Sequence, residues 1–248
     1  MPDTESRPPC VVVLHEVWGP DANIERVCKR LRKLGFATTA PDLYQGHESL
    51  LTPRNIRRAM EAVWCLSLQE RHDKRKLAAE VARKGADDTT REVLYVIYDH
   101  DFRERMFDIT LEAIRAARRR HGRVATLGFS LGGGLSLLSA TSPVAPNAAV
   151  AYCGEPPGAE SLKGAKTPLL AICASHDELM NPLMPTFVEA SLNQGVDLTV
   201  RTFPGTEHDF FNKTMKDRYN RAAAEEAWAL TAWFLTRALR GGHPLSKR

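Results

Sequence analysis

Residues 124–140 read VATLGFSLGGGLSLLSA, and the reading of this stretch decides the fold. A short β-branched and apolar run, VATL, leads into Gly128-Phe129-Ser130-Leu131-Gly132 and then into a small-residue, apolar helix. G-x-S-x-G works when a sharp strand-to-helix turn strains the backbone and lifts the serine above a sheet. Glycines two residues before and after the serine relieve the crowding of that turn. The Ser130 hydroxyl then faces a helix N-terminus, where free N–H groups and the dipole favour developing negative charge. The competing reading is a glycine-rich turn whose serine merely caps the helix. The strand before it and the apolar helix after it favour the nucleophile.

Outward from this point, strands alternate with helices. Residues 10–14 (CVVVL) form a β-branched run of the kind buried on both faces of a sheet. Ile24, Val27, Cys28, Leu31 and Leu34 recur with helical spacing; Asp21 or Asn23 can cap that helix and Gly35 can end it. Further strands are expected at 36–40, 124–127, 148–152, 169–173 and 198–203, with helices at about 108–119, 132–140, 182–192 and 218–239. Such alternation predicts an α/β fold, a mostly parallel, doubly wound sheet flanked by helices. One region departs from it. Residues 52–105 are helical in pattern and highly charged, with 93–98 open between strand and helix, and are expected to form a cap-like excursion. The whole chain, 1–248, is expected to be one domain with a disordered tail at 241–248.

Composition narrows the function. The chain has 248 residues, 34 Lys and Arg against 30 Asp and Glu, and a net charge of +4. That charge, without a basic stripe, predicts no nucleic-acid partner. The basic run 115–120 falls at an expected helix C-terminus, where cations complement the dipole. No apolar stretch approaches the ~18 residues of a membrane span, and residues 1–9 do not resemble a secretory signal, so a cytoplasmic protein is expected. Five widely spaced cysteines include no CxxC pair; neither a disulfide framework nor a metal site is suggested.

A serine hydroxyl needs a base, and a histidine base needs an orienting carboxylate. In a strand–GxSxG–helix context the partners follow in the order Ser, Asp or Glu, His, at the ends of later strands. Asp177 follows the strand at 169–173, and His208 follows the strand at 198–203. Glu178 and Glu207 are rival acids; Asp177 is preferred because it lies nearer the strand end and precedes a helix. The other histidines are read as solvated loop residues. The oxyanion hole requires two backbone donors. Leu131 N–H is one, and Val17 N–H, in the loop His15-Glu16-Val17-Trp18-Gly19, is the other. Glu16, at a buried strand end, must be paired or pKa-shifted unless it is partly solvated. Trp18 is read as a wall of the acyl pocket or as packing.

His15–Gly19, Pro41-Asp42-Leu43-Tyr44, the elbow at 128–133, residues 174–182 around Asp177, and Glu207-His208-Asp209-Phe210-Phe211 together resemble the dienelactone hydrolase family. The similarity runs from about Cys10 to Leu239. It implies an α/β-hydrolase fold, hydrolysis of an ester or lactone without metal or organic cofactor, a Ser130–Asp177–His208 triad, and Glu16 as the acidic neighbour of the nucleophile. The chain departs from the family pattern in three places. Ser130 stands where cysteine is usual. Asn212 stands where the family carries an arginine that clamps a substrate carboxylate, leaving Lys213, Arg103 or Arg105 as substitutes. The chain also starts almost at the glutamate-bearing strand, which predicts an exposed sheet edge available for dimerisation.

The expectation is a serine hydrolase of carboxylic esters or lactones working through an acyl-enzyme, acting on small molecules as a monomer or homodimer. Phe210, Phe211 and Trp18, with neutral Asn212 and Glu16, are expected to line the substrate pocket. A true dienelactone hydrolase and a non-catalytic small-molecule receptor on the same fold are the alternatives.

Overall fold

The computed structural model describes residues 7–241. Six strands, β1 (Cys10–Leu14), β2 (Ala37–Thr39), β3 (Val124–Phe129), β4 (Ala148–Tyr152), β5 (Leu169–His176) and β6 (Leu198–Glu207), form one sheet in the order β2-β1-β3-β4-β5-β6. Every neighbouring pair is parallel. The chain runs outward from β1 to β2 and then returns to the other side of β1 as β3. A crevice therefore opens at the C-terminal ends of β1 and β3, where open α/β sheets place their sites.

The strand alternation sorts side chains to two faces. Val11, Val13, Leu127 and Val150 pack against helices α1 (Ala22–Lys33) and α9 (Arg221–Arg240). Val12, Leu14 and Val124 face α6 (His100–His121) and the excursion. Further along that face, Ala149 and Ala171 meet α7 (Leu131–Ser139) and α8 (Met184–Gln194).

Asp21 caps α1, accepting from the Asn23 and Ile24 amides at 2.8 and 3.2 Å. Asn23 lies inside the helix, so the choice left open by the sequence falls to Asp21. The excursion comprises α2 (Pro53–Val63), α3 (Leu68–His72), α4 (Lys74–Arg83) and α5 (Asp88–Ile97). Residues 93–98 belong to α5 and its cap, with Val93, Leu94 and Ile97 buried on one stripe. Capped by Asp99, α6 starts at His100, eight residues before the expected 108; the charged stretch HDFRERM hides Phe102 and Met106, which are buried one turn apart. The basic run closes α6, where Arg118 donates to the Val144 and Ala145 carbonyls. Both β5 and β6 run past their expected ends, carrying their loops further above the sheet. Gly241, expected in the tail, is the left-handed C-cap of α9, and 242–248 lie outside the described residues. No described helix is long and apolar enough to cross a membrane.

Candidate active site

Ser130 sits between β3 and α7 with φ 48° and ψ −112°, a region that non-glycine residues rarely enter. The turn is over-determined. Ser130 N donates to the Tyr152 carbonyl at 2.8 Å and Gly132 N to the His15 carbonyl at 3.1 Å. A Cβ on Gly132 would collide with the Leu14 and His15 carbonyls, and one on Gly128 with the Gly132 carbonyl. Glycine at both positions is a steric requirement, as the motif implied.

The loops after β5 and β6 deliver two further side chains to this turn. His208 Nε2 lies 2.8 Å from Ser130 Oγ, and Nδ1 lies 2.7 Å from Asp177 Oδ2. Asp177 is 2% exposed, and its Oδ1 accepts from the Leu179 and Met180 amides. Burial pushes the Asp177 carboxyl up, but the hydrogen bond and charge of His208 and those two amides outweigh it and hold it below the usual range. Burial acts to depress His208; the charge of Asp209, then the bond to Asp177 and its charge, reverse this and raise it. The rival acids are out of reach: Glu178 is exposed, and Glu207, also exposed, lies 3.8 Å from Arg218. Cys153 shares the corner, its sulfur within 4.8 Å of ligating atoms of Asp177 and His208. Burial, then the charges of Asp177 and Cys173, push its thiol well above the ordinary value.

The loop at 15–19 is fixed from the β2 side. His15 is buried, its Nε2 accepting from Leu43 N at 3.0 Å and its Nδ1 within 2.7 Å of the Glu16 carbonyl. Tyr44 donates its hydroxyl to the Val17 carbonyl at 2.7 Å and packs edge-on to His15. His15 is thus no solvated loop residue, and Pro41–Tyr44 serves as a brace for the loop that carries Val17.

Above Ser130 lies a cavity of about 280 Å³. Its floor includes Val17, Trp18, Leu131 and His208; its roof comes from the excursion, through Met60, Trp64, Leu68 and Tyr98. Trp18 occupies the expected wall. Phe210 and Phe211 do not: they are 1% and 6% exposed and pack against Phe203, Phe129 and Trp228 in the core. They approach the site only from behind, around a small recess shared with Glu16, Ser130, Asp209 and Asn212. Glu16 is fully buried, with Oε1 accepting from the side-chain amides of Asn23 at 3.0 Å and Asn212 at 2.9 Å. Asn212 therefore holds Glu16 rather than facing substrate. Lys213 stacks on Tyr219, and Arg105 lines a separate groove with His47 and Tyr95.

Of the cationic residues named from the sequence, Arg103 reaches the cavity, and it is paired with Glu155 at 2.9 Å. His72 and Arg71, which the sequence did not single out, join it in the wall. Burial, then the charges of Arg103 and Arg71, push His72 down to about 4, so its ring is neutral near pH 7. Arg71 is 4% exposed and donates to the Trp64 and Leu66 carbonyls at the end of α2. No local pattern marks these three. They converge only in the fold, where Arg103 of α6 reaches the His72 ring of α3 at 2.7 Å.

Known proteins resemble the chain over most of its length. The "Putative carboxymethylenebutenolidase" of Saccharolobus solfataricus is 30% identical over 92% of this chain and 88% of its own length. A protein of the same name from Aquifex aeolicus is 28% identical over 91% and 87%. A crystal structure titled as a putative dienelactone hydrolase, from Klebsiella pneumoniae, superposes with a TM-score of 0.67 at 20% identity, covering 92% of this chain and 88% of that one. Its likeness extends the α/β-hydrolase fold to the present sheet. The profile of the dienelactone hydrolase family matches residues 1–239, nearly the whole length, and the chain belongs to the dienelactone hydrolase family.

Proposed function

We propose that the chain hydrolyses carboxylic esters or lactones through an acyl-enzyme on Ser130. The observation that carries this reading is the bridge made by His208, 2.8 Å from Ser130 Oγ on one side and 2.7 Å from Asp177 on the other. Ser130 Oγ attacks the carbonyl carbon as its proton passes to His208 Nε2. Asp177 holds the imidazole in the productive tautomer and stabilises the imidazolium. The tetrahedral oxygen sits against the Val17 and Leu131 N–H groups. The C–O bond to the alcohol then breaks and His208 returns the proton to the leaving oxygen; in a lactone that oxygen stays tethered to the acyl group. Water next gives a proton to His208 as its oxygen attacks the acyl carbon; the bond from that carbon to Oγ then breaks, His208 returns the proton to Ser130 Oγ, and the acid leaves. Cys153 is the less suitable nucleophile because its thiol is buried and held protonated, whereas the attacking species of a cysteine is the thiolate.

A fluorophosphonate probe followed by peptide mass spectrometry tests the assignment. The adduct is expected on Ser130 and absent from Ser130→Ala; labelling of Cys153, or none, overturns it. Absence of labelling together with tight ligand binding would favour the receptor alternative. Arg103 and Arg71 in the cavity wall support a second reading, a dienelactone-type substrate with a free carboxylate. Relative kcat/KM for such a lactone and for a neutral ester separates the two.

A further inference from the structure

Glu16 and Asp209 meet behind the nucleophile, and their contact is not accounted for by the mechanism above. We infer that Glu16 stands in the folded protein as a neutral carboxylic acid donating a hydrogen bond to the Asp209 carboxylate, and that Asp209, so held, is a second anionic partner of His208 beside Asp177.

The hydrogen-bond inventory requires a proton here. Glu16 Oε1 takes two amide N–H groups, from Asn23 and Asn212, as a carbonyl oxygen would. Its other oxygen, Oε2, is buried without a donor among the described residues. Asp209 lines the same small recess as Glu16, with Asn212 and Ser130, and its carboxyl is the group there that could accept a hydrogen bond from a proton on Oε2. Two buried carboxyls in contact cannot both be ionised, and a hydroxyl on one turns the repulsion into a charge-assisted hydrogen bond. The surroundings decide which carries it. Among the described residues no cation pairs with Glu16, and the nearby carboxyl of Asp21 is engaged in capping α1. Asp209 has the Arg218 guanidinium 3.3 Å from Oδ2. The proton accordingly sits on Glu16. Burial first, and then the charges of Asp209 and Asp21, raise Glu16 well above the glutamate range, in line with this assignment.

The consequence falls on His208. Asp209 has φ 67°, a left-handed conformation that turns its carboxyl back toward the preceding residue, with Oδ1 3.8 Å from His208 Nε2. This is the nitrogen that faces Ser130. When it takes the proton, the imidazolium lies between Asp177 at Nδ1 and Asp209 beside Nε2. The other groups at this corner are Arg218, which opposes protonation of His208, and the neutral thiol of Cys153. Arg218 is held in place 4.3 Å over the Trp64 ring of the excursion. Asp209 is thus a positioning and electrostatic residue acting through His208.

This inference rests on His208 being the base, but its test does not require turnover. The His208 imidazole is titrated by NMR in the parent, Asp209→Asn and Glu16→Gln. Asparagine tolerates the left-handed region and keeps the shape of Asp209. Asp209→Asn is expected to lower the His208 midpoint by about one to three units, the effect of removing a charge at this range. The acid limb of kcat/KM is expected to move with it while KM changes little. Glu16→Gln keeps an N–H toward Asp209 and is expected to leave the midpoint within a few tenths of a unit. Infrared difference spectra provide the second readout: the parent is expected to show a protonated-carboxyl C=O band at neutral pH that Glu16→Gln removes. An unmoved midpoint in Asp209→Asn, or a parent without that band, overturns the inference. An unlabelled Ser130 with both signals intact would instead overturn the nucleophile and leave this pair standing.

Discussion

The Tyr44 hydroxyl donates to the Val17 carbonyl at 2.7 Å, tying the loop after β1 to the loop after β2. The proposed oxyanion donor, Val17 N–H, belongs to the preceding peptide, whose Glu16 carbonyl lies 2.7 Å from His15 Nδ1. The Tyr44 bond holds the next peptide, so the two together fix the backbone on both sides of Val17 Cα. Tyr44 is almost fully buried, so losing its hydroxyl leaves the Val17 carbonyl without that partner. Tyr44→Phe is expected to cost about 1–2 kcal/mol of stability and to lower kcat roughly tenfold, with KM little changed. Urea unfolding and steady-state kinetics on one ester check both. A stability loss with unchanged kcat would leave Tyr44 a purely structural brace.

The His208 bridge makes a kinetic and a pH prediction. Ser130→Ala is expected to lower kcat by a factor on the order of 10⁶. Asp177→Asn is expected to cost roughly 10⁴ by presenting the wrong imidazole tautomer. The base must be neutral to accept the Ser130 proton. His208 is raised above its ordinary 6.5, so kcat/KM is expected to fall as pH drops through a midpoint above 6.5. A pH–rate profile flat from pH 8 to below 6 contradicts the assignment.

Much of this site was legible because its chemistry follows chain order. The elbow glycines, Asp177 and His208 are each local signals at strand ends, and a parallel sheet brings strand ends together without further information. Glu16 was legible only as a buried acid. Its neighbours come from two other segments, Asn23 from α1 and Asp209 and Asn212 from the loop after β6, and nothing in their local patterns records the meeting. Phe210 and Phe211 show how local reading fails. Their place after His208 suggested a pocket, but the left-handed turn at Asp209 directs both rings into the core against Phe203, Phe129 and Trp228. The roof of the cavity was the least legible part. It is set by how five amphipathic helices pack, and the charges of α6 hid its first two turns.

The buried acid also has a thermodynamic signature. Glu16 has a folded-state pKa raised above the ordinary 4.5, so the folded protein holds a proton that the unfolded chain releases. Its contribution to stability is complete below about pH 4.5 and is lost as pH rises toward and through the folded value. Glu16→Gln removes this dependence. Relative to the parent, the variant is expected to gain stability with pH above 4.5, at about 1.4 kcal/mol per unit until the folded pKa is reached. Urea midpoints from pH 5 to 8 measure it. A difference between variant and parent that stays flat from pH 5 to 8 would mean that Glu16 is ionised in the fold.

Arg103, not position 212, is the residue expected to set the preference for substrate charge. An arginine at 212 would displace the amide that holds Glu16 and would enter the recess behind Ser130 rather than the cavity. Arg103 faces the cavity but is neutralised by Glu155 at 2.9 Å, and His72 beside it is uncharged near pH 7. A substrate carboxylate must therefore compete with Glu155 for the guanidinium. An apolar ester needs no such exchange, because much of the remaining wall is Trp18, Met60, Trp64 and Leu68. The parent is accordingly expected to show a higher kcat/KM for a small neutral ester than for a lactone with a free carboxylate. Glu155→Gln releases Arg103 and is expected to shift the ratio toward the anionic substrate by about 1–3 kcal/mol, roughly 5- to 150-fold. Arg103→Met in the same background should abolish the shift, since the fork that accepts the carboxylate is gone. The measurement is kcat/KM for p-nitrophenyl acetate and a dienelactone in the three proteins. A parental preference for the dienelactone that survives Arg103→Met would assign carboxylate recognition to Arg71, the remaining cation in the wall.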